Sequence, residues 1–144
     1  GCADAGLGCG IRAGGRGGGV TVCWGCGRPC VMLRYGIPRD RLPEAVLDAG
    51  IQRGIDLGVD LRCNAVVGKD ITLDQLHADY KAIFVGIGAH KGLTLGVPGE
   101  EASGVFTGTE FLNHVNSGEA VMVGDRVSVI GGGDTAIDAA RGSR

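Results

Sequence analysis

The sequence predicts an α/β fold in which parallel strands alternate with helices. Short β-type runs alternate with helical stretches along the chain, which is typical of this class. Residues 82–87 form a continuous apolar run, the pattern of a strand buried on both faces of a parallel sheet. Residues 126–130 lead through three glycines into a helix-forming segment, so a strand, a tight turn and a helix are expected there.

Composition limits the class of protein. The chain has 144 residues and a formal net charge of -2, so it amounts to one domain or less and gives no reason to expect a nucleic-acid partner or an anionic membrane surface. No apolar run approaches the roughly 18 residues that a membrane span needs. Glycine occurs 29 times and aromatic residues make up 4%, which indicates tight turns between aliphatic strands and helices.

The N-terminal half contains a weak segment followed by well-marked elements. Seven of residues 8–19 are glycine, which predicts a poor helix there. Residues 20–22 are of β type. Residues 42–57 predict a helix, with an acidic first turn and Gly58 placed as its stop. Residues 59–62 alternate and predict a strand. On the helix, one face is expected to carry Leu42, Val46, Ile51 and Ile55.

The C-terminal half continues the alternation. Thr72 and Gln75 form a capping box ahead of a short helix to about Tyr80. Residues 95–100 predict a turn, and residues 109–116 a further short helix. A helix is expected to start at Asp134 and to reach Arg141.

The strongest chemical motif is Gly131-x-Gly133-x-x-Ala136. Between a strand and a helix, this spacing is the fingerprint of a dinucleotide site. Gly131 permits the sharp turn, Gly133 lets a pyrophosphate approach the backbone, and the small Ala136 lets the helix pack close. The helix N-terminus then offers N–H groups to the phosphates. The alternative is a plain glycine turn without a ligand.

Two further features lie near the N-terminus. Gly1, Ala3 and Gly6 have the spacing of a second dinucleotide motif, with Ala3 in the central position. Cys23 and Cys26 form a CxxC pair, which suits either a redox dithiol or half of a metal site, or has no role. Five of the six cysteines fall within the first thirty residues. A disulfide framework would be spread over the fold, so a reducing, cytoplasmic location is expected.

Several runs in order carry a family resemblance. Residues 33–38 are LRYGIP, residues 85–91 are VGIGAHK, residues 95–100 are LGVPGE, and residues 129–141 are VIGGGDTAIDAAR. Over residues 33–141 the chain resembles the small (β) chain of glutamate synthase and its relatives. This is the FAD- and NAD(P)-binding module that is also seen in dihydropyrimidine dehydrogenase.

The resemblance implies a Rossmann-like FAD/NAD(P)-binding parallel sheet, truncated at both ends. Residues 1–120 would form part of an FAD-binding domain, of which 1–31 are degenerate, and residues 121–144 would begin an inserted NAD(P)-binding domain. The implied function is an FAD-dependent oxidoreductase that passes electrons from NAD(P)H through FAD to iron–sulfur clusters. Those clusters would lie in missing or partner domains, and the partner would be a large oxidoreductase subunit or an iron–sulfur protein. The choice between NAD and NADP stays open.

The resemblance also implies the cofactor-binding residues. At the FAD pyrophosphate turn it places Gly1, Ala3 and Gly6. Elsewhere around FAD it places Met32, Arg41, Val67 and Gly88. At the phosphates of the nicotinamide cofactor it places Gly131, Gly133, Asp134 and Thr135. No catalytic side chain and no metal ligand is expected, because hydride transfer rests on the positions of two cofactors.

The departures from the family are concentrated in residues 1–31. Asp4 stands where the family has Pro, and Trp24 stands where it has a ribose-binding Glu. Cys30 and Val31 replace paired glycines near the flavin. We therefore expect the 144-residue chain alone to be marginally stable, to bind FAD weakly or not at all, and to be inactive. A non-functional remnant and a cysteine-cluster metal or thiol-redox module are the alternatives to an oxidoreductase fragment.

Overall fold

The computed structural model describes residues 3–144, with side chains from residue 5 onward. The chain forms two compact units. The first runs to Met32 and resumes over Glu44–Gly88, while the second takes Leu33–Pro43 and Ala89–Arg144. In the described residues the elements are α1 (Ala3–Gly14), β1 (Val20–Cys23), α2 (Val31–Tyr35), α3 (Glu44–Asp56), β2 (Val59–Arg62), α4 (Leu73–Asp79), α5 (Gly108–Ser117) and α6 (Asp134–Gly142).

A two-stranded parallel sheet organises the first unit. β1 and β2 pair in parallel, with Val20 opposite Val59 and Cys23 opposite Arg62. A parallel pair needs a crossover connection, and α3 lies within it. The α/β class and both of these strands, which the sequence predicted, are confirmed.

Residues 8–14 of the glycine-rich segment lie in α1, so for them the expectation of a poor helix was wrong, whereas residues 15–19 are outside the helix. α1 packs on the sheet through Gly10, where a Cβ would lie 3.1 Å from Val22 Cγ2 and 3.6 Å from Val59 Cγ1. On α3, a Cβ at Gly54 would lie 3.0 Å from Leu7 Cδ1. Close packing of backbones therefore offsets the low helix propensity of glycine, because tertiary contacts supply most helical stability in proteins.

α3 forms where the sequence placed a helix, and Gly58 follows it with φ +84°. Its inward face differs from the expected one. The buried residues are Leu47, Ile51 and Gly54, whereas the side chains of Val46 and Ile55 are largely exposed. α3 therefore turns Leu47, Ile51 and Gly54 toward the rest of the first unit, because the absence of a side chain at Gly54 permits the close approach of α1.

The helix caps predicted from the sequence are present. Thr72 and Gln75 form the reciprocal capping box of α4: Gln75 N–H donates to Thr72 Oγ1 at 3.1 Å, and Thr72 N–H donates to Gln75 Oε1 at 2.8 Å. The turn at residues 95–100 is also confirmed. There the Leu95 N–H donates to Glu100 Oε1 at 2.6 Å, and the Gly96 N–H donates to Oε2 at 2.8 Å.

Two expected strands are absent from the described residues, and those predictions were wrong. Residues 82–87 and 126–130 form no strand. In the first segment Val85 is 69% exposed, and in the second Ile130 is 77% exposed. A strand exists only through hydrogen bonds to a neighbouring strand, and no described segment pairs with either run.

The core of the second unit lies between α5 and α6. Phe111, Leu112 and Ala139 are buried together, and Val115 and Val121 pack against them. No helix among residues 3–144 is both long enough and apolar enough to cross a membrane.

Candidate functional site

The glycine turn before α6 is open at the helix N-terminus. Gly133 is the N-cap, with φ −85° and ψ 173°, and makes no side-chain capping bond. Its carbonyl accepts from the N–H groups of Ala136 and Ile137 at 3.0 and 3.1 Å. The first N–H groups of a helix have no acceptor within the helix, and the helix dipole adds partial positive charge there. A Cβ at Gly133 would meet nothing within 4 Å, so an anion can approach this backbone.

Gly131 has a different role in the same turn. Its φ is +137°, which is strained for any residue with a side chain, and a Cβ there would lie 3.1 Å from Ala136 Cβ. The turn thus folds back onto the first turn of α6, and Ala136 packs against Gly131 rather than against the strand that the sequence predicted. The flanking residues 126–130 are not a strand, so the turn and helix are confirmed but the strand before them is not.

Asp134 and Thr135 open α6. Both residues are exposed. The methyl group of Thr135 lies against Gly108, where a Cβ would come within 2.8 Å of it. Within this unit the start of α6 is therefore packed beside the start of α5, and the backbone N–H groups of Asp134 and Thr135 lie in the first turn of α6.

Arg41 lies on the loop that precedes α3 and makes an ion pair with α6. Its Nη1 donates to Asp138 Oδ2 at 2.6 Å. The Arg41 side chain is 43% exposed, while that of Asp138 is only 5% exposed. Among the described residues, Asp138 Oδ1 is buried and has no hydrogen-bond partner. The pair therefore joins an arginine that the resemblance places at FAD to the helix that it places at the nicotinamide cofactor.

Three further contacts hold the same loop within the second unit. Asn116 Nδ2 donates to the Tyr35 carbonyl at 2.8 Å, and Arg39 Nη2 donates to the Asn116 carbonyl at 3.1 Å. Arg141 pairs with Asp40 in an exposed ion pair. The loop is thus fixed to both α5 and α6, so the position of Arg41 depends on these helices.

A small cavity of about 180 Å³ lies beside this loop. It is far smaller than a dinucleotide, and it is lined by Pro38, Asp40, Leu112, Val115, Asn116, Asp138, Arg141 and Gly142.

The residues expected at FAD in the first unit are partly brought together. A Cβ at Gly86 would lie 3.4 Å from the Gly6 nitrogen, so the segment that leads to Gly88 runs beside the N-terminal part of α1. Gly88 has φ +66°. Gly1 lies outside the described residues, and Ala3 is the first residue of α1.

Val67 and Met32 complete the expected FAD set. Val67 is 46% exposed and bridges to Ile71 in the loop after β2. A cavity of about 350 Å³ opens in this part of the unit. It is lined by Arg62, Asn64, Ala65, Asp70, Ile71, Gln75 and Asp79. Met32 is half-buried in α2.

Trp24 follows β1 directly and continues its pairing with the chain after β2. Its N–H donates to the Arg62 carbonyl at 2.8 Å, and its carbonyl accepts from the Ala65 N–H at 2.8 Å. The residue is only 3% exposed. An indole offers one donor and no acceptor, so this position supplies no acceptor for ribose hydroxyls.

Cys23 of the CxxC pair lacks the lowered pKa of an activated thiol. Burial raises the pKa of Cys23; the nearby Arg62 opposes this shift and Asp60 adds to it. Reactive cysteines need a lowered pKa, because the thiolate is the nucleophile. No group of three metal-ligating side chains occurs in the part of the chain that the structure describes. The geometry therefore gives no support to the thiol-redox or metal alternatives.

Sequence reasoning gave Asp138 no role of its own. It lies one helical turn after Asp134, and its burial follows from the packing of α5 on α6. The sequence pattern that could have identified it is a carboxylate beside Ala139 on the apolar side of an amphipathic helix. A charge in such a position is costly unless a cation pairs with it.

The sequence of the chain is similar to that of known oxidoreductases. Residues 1–142 match the family described as pyridine nucleotide-disulphide oxidoreductase. The chain is 38% identical, over 98% of its own length and 20% of the relative's, to NADP(+)-dependent formate dehydrogenase subunit beta of Moorella thermoacetica. It is 37% identical, over 97% of its length and 34% of the relative's, to NAD-dependent dihydropyrimidine dehydrogenase subunit PreT of Escherichia coli O157:H7.

A third relative is the glutamate synthase [NADPH] small chain of Escherichia coli strain K12. The identity is 35%, over 78% of this chain and 26% of that protein. The chain thus spans between a fifth and about a third of the length of these relatives.

Proposed function

The chain belongs to the pyridine nucleotide-disulphide oxidoreductase family, and from this premise we propose that it is part of an enzyme that passes electrons from NAD(P)H through FAD to iron–sulfur partners. Members of this oxidoreductase family bind FAD and use NAD(P)H. We further propose that residues 1–120 belong to the FAD-binding part and residues 121–144 to the start of an inserted NAD(P)-binding part.

The observation that carries the proposal is the bare backbone at the start of α6. Gly131 holds the turn against Ala136, and Gly133 leaves the space before the helix free of side chain. The N–H groups of Asp134 and Thr135 would bind the diphosphate of the nicotinamide cofactor there. The residues present therefore fit a dinucleotide phosphate at this helix.

The expected FAD contacts fit less evenly. Arg41 is half-exposed and cationic, which suits a diphosphate or a ring oxygen. Gly86, two residues before Gly88, lies beside the backbone of Gly6. Trp24 supplies no acceptor for the ribose, so FAD would rely there on other groups. When bound, FAD supplies the acceptor for hydride, and the role of this chain is to bind and orient both cofactors.

The partner and the compartment are part of the proposal. The relatives are named as subunits of a formate dehydrogenase and a dihydropyrimidine dehydrogenase, and as a glutamate synthase small chain. These names support a larger oxidoreductase subunit as partner, and an iron–sulfur protein is the other partner that we propose. The crowding of cysteines in the first thirty residues, unlike the spacing of a disulfide framework, supports a cytoplasmic location.

Gly133→Ala tests the nicotinamide site. Alanine tolerates φ −85° and ψ 173°, and its Cβ would touch nothing in the protein. The methyl group would nevertheless occupy the space before the helix. We expect NAD(P)⁺ to shift the backbone amide resonances of Asp134 and Thr135 saturably in the wild-type chain. In the variant the affinity should fall at least about tenfold, as expected for loss of charge-assisted bonds.

Gly132→Ala is the matched control. A Cβ at Gly132 also meets nothing within 4 Å, so this variant should bind NAD(P)⁺ like the wild type. Wild-type amides that do not respond to NAD(P)⁺, or an equal loss of affinity in both variants, would contradict the proposed site. Thermal unfolding of both variants shows whether the fold is retained.

A further inference from the structure

Asp138 is a buried carboxylate that no cofactor role explains. It lies on α6 and is 3% exposed. Burying a charged group is costly unless it is paired. Oδ2 of Asp138 accepts a hydrogen bond from Arg41, and Oδ1 has no hydrogen-bond partner among residues 3–144. The carboxylate therefore depends on this single arginine.

The Arg41 guanidinium is bonded to Asp138 but remains partly open to solvent. One N–H of Nη1 donates to Asp138 at 2.6 Å, and 43% of the side chain remains exposed to solvent. A guanidinium has five N–H donors, so most of its capacity is left for an anion. Because the arginine is already ordered, a ligand does not have to immobilise it on binding, which favours affinity.

The backbone around Arg41 is fixed by the same helices. Tyr35 and Arg39 contact Asn116 of α5, and Asp40 pairs with Arg141 of α6. Contacts with α5 and α6 therefore fix both the backbone around Arg41 and its guanidinium group. A displacement of α6 would move the guanidinium through Asp138.

We propose that Asp138 is a positioning residue that holds the Arg41 guanidinium in the orientation for its contact with FAD. The helix whose N-terminus binds the nicotinamide cofactor would thereby also set the geometry of an FAD-binding arginine. This inference rests on the proposed function, since Arg41 is an FAD contact only there. It adds a residue that acts through another and touches no cofactor itself.

A double-mutant cycle tests the inference on the 144-residue chain. Because the chain alone is expected to bind FAD weakly, FAD is titrated to millimolar concentration, and binding is followed by backbone amide shifts in the wild type, Asp138→Asn, Arg41→Gln and the double variant. Asparagine keeps the size of Asp138 and removes its charge. We expect Asp138→Asn to weaken FAD binding at least about tenfold. With Arg41 already replaced, it should add less than about twofold.

Asp40→Asn is the matched control, because it breaks the neighbouring exposed ion pair with Arg141. It should change FAD affinity by less than about twofold. A purely structural Asp138 would weaken FAD binding equally with and without Arg41, and that result would overturn the inference. Unchanged FAD affinity in Asp138→Asn would also overturn it.

A second measurement does not depend on FAD. In nitrogen-15 NMR spectra the Arg41 guanidinium should be more restricted in the wild type and in Asp40→Asn than in Asp138→Asn. Equal mobility in all three would overturn the inference. If the wild type bound no FAD, the FAD part of the proposed function and of this inference would fail, and the NMR result would alone decide whether Asp138 orders Arg41.

Discussion

Three consecutive glycines before α6 differ in what a single methyl group would meet. At Gly131 it would press on Ala136 Cβ at 3.1 Å, whereas at Gly132 and Gly133 it would meet nothing within 4 Å. Gly131 is therefore required by the fold of the turn. The fold does not require Gly133, so the space that its missing side chain leaves is open to a ligand. The motif therefore contains one glycine that the turn requires and one that we propose a ligand requires.

Cys23 should be the slower thiol of the CxxC pair. Burial raises the pKa of Cys23, so its thiolate is scarcer at neutral pH than that of an ordinary cysteine and becomes abundant only at higher pH. We expect iodoacetamide at pH 7.5 to alkylate Cys23 at least about threefold more slowly than the exposed Cys26, by peptide mass spectrometry.

The difference between the two thiols should shrink as the pH rises and vanish in the urea-unfolded chain, which serves as the control. Faster modification of Cys23 than of Cys26 at pH 7.5 would revive the thiol-redox alternative, because an activated thiol needs the opposite pKa shift.

Single residues were predictable from the sequence where backbone chemistry alone decides. Gly131 and Gly58 have the positive φ values that their turns require. The pairing of Arg41 with Asp138 was not predictable, because the two residues are far apart in sequence and meet only through packing of α6 beside the loop.

Glycine in α1 has opposite consequences on the two sides of the helix. Gly8 faces open space, whereas a Cβ at Gly10 would lie 3.1 Å from Val22 Cγ2 and 3.4 Å from Val20 Cγ1. The helix tolerates its low propensity because the inward glycine lets it approach β1. Sequence propensity, which counts both residues alike, missed this helix.

Replacing the two glycines separately should show the difference. Gly8→Ala should raise the free energy of unfolding by about 0.5–1 kcal/mol, through better helix propensity. Gly10→Ala gains the same propensity but crowds two valines of β1, so we expect no net gain or a loss. Urea unfolding of both variants measures this. An equal gain in both would show that α1 does not pack closely on β1.

Other elements were predictable because local chemistry specifies them. The capping box of Thr72 and Gln75 fixes the start of α4, and α5 and α6 lie where the sequence placed them. Residues 82–87 and 126–130 were not predictable, because a β-type run becomes a strand only beside another strand.

The protein as a whole combines a small ordered sheet with long apolar stretches outside regular structure. The two described strands have four residues each. Around them, large hydrophobic side chains such as Phe84, Ile87 and Leu93 are more than half exposed. Such exposure marks a liability for self-association. The α/β class was predictable from the alternation of patterns, whereas the size of the sheet depended on pairing partners.

Hydrogen exchange tests this distribution of order. We expect the paired amides of β1 and β2 to be protected, and those of residues 82–87 and 126–130 to exchange within the dead time of a manual experiment, because exposed amides without strand partners are open to solvent. Exchange is measured at residue level by NMR, with α3 as a protected reference. Protection of residues 82–87 comparable to β1 would show that the strand predicted from the sequence does form.

The two compact units are interleaved along the chain, since residues 33–43 belong with residues 89–144 and interrupt the first unit. No single proteolytic cut can therefore separate the two units, because residues 33–43 of the second unit stay attached to the first. A nick near residue 88 would leave the Arg41 loop covalently attached to one fragment, while its ion pairs with Asp138 and Arg141 lie on the other. The two fragments are thus candidates for fragment complementation, in which the N-terminal fragment supplies the loop that completes the second unit.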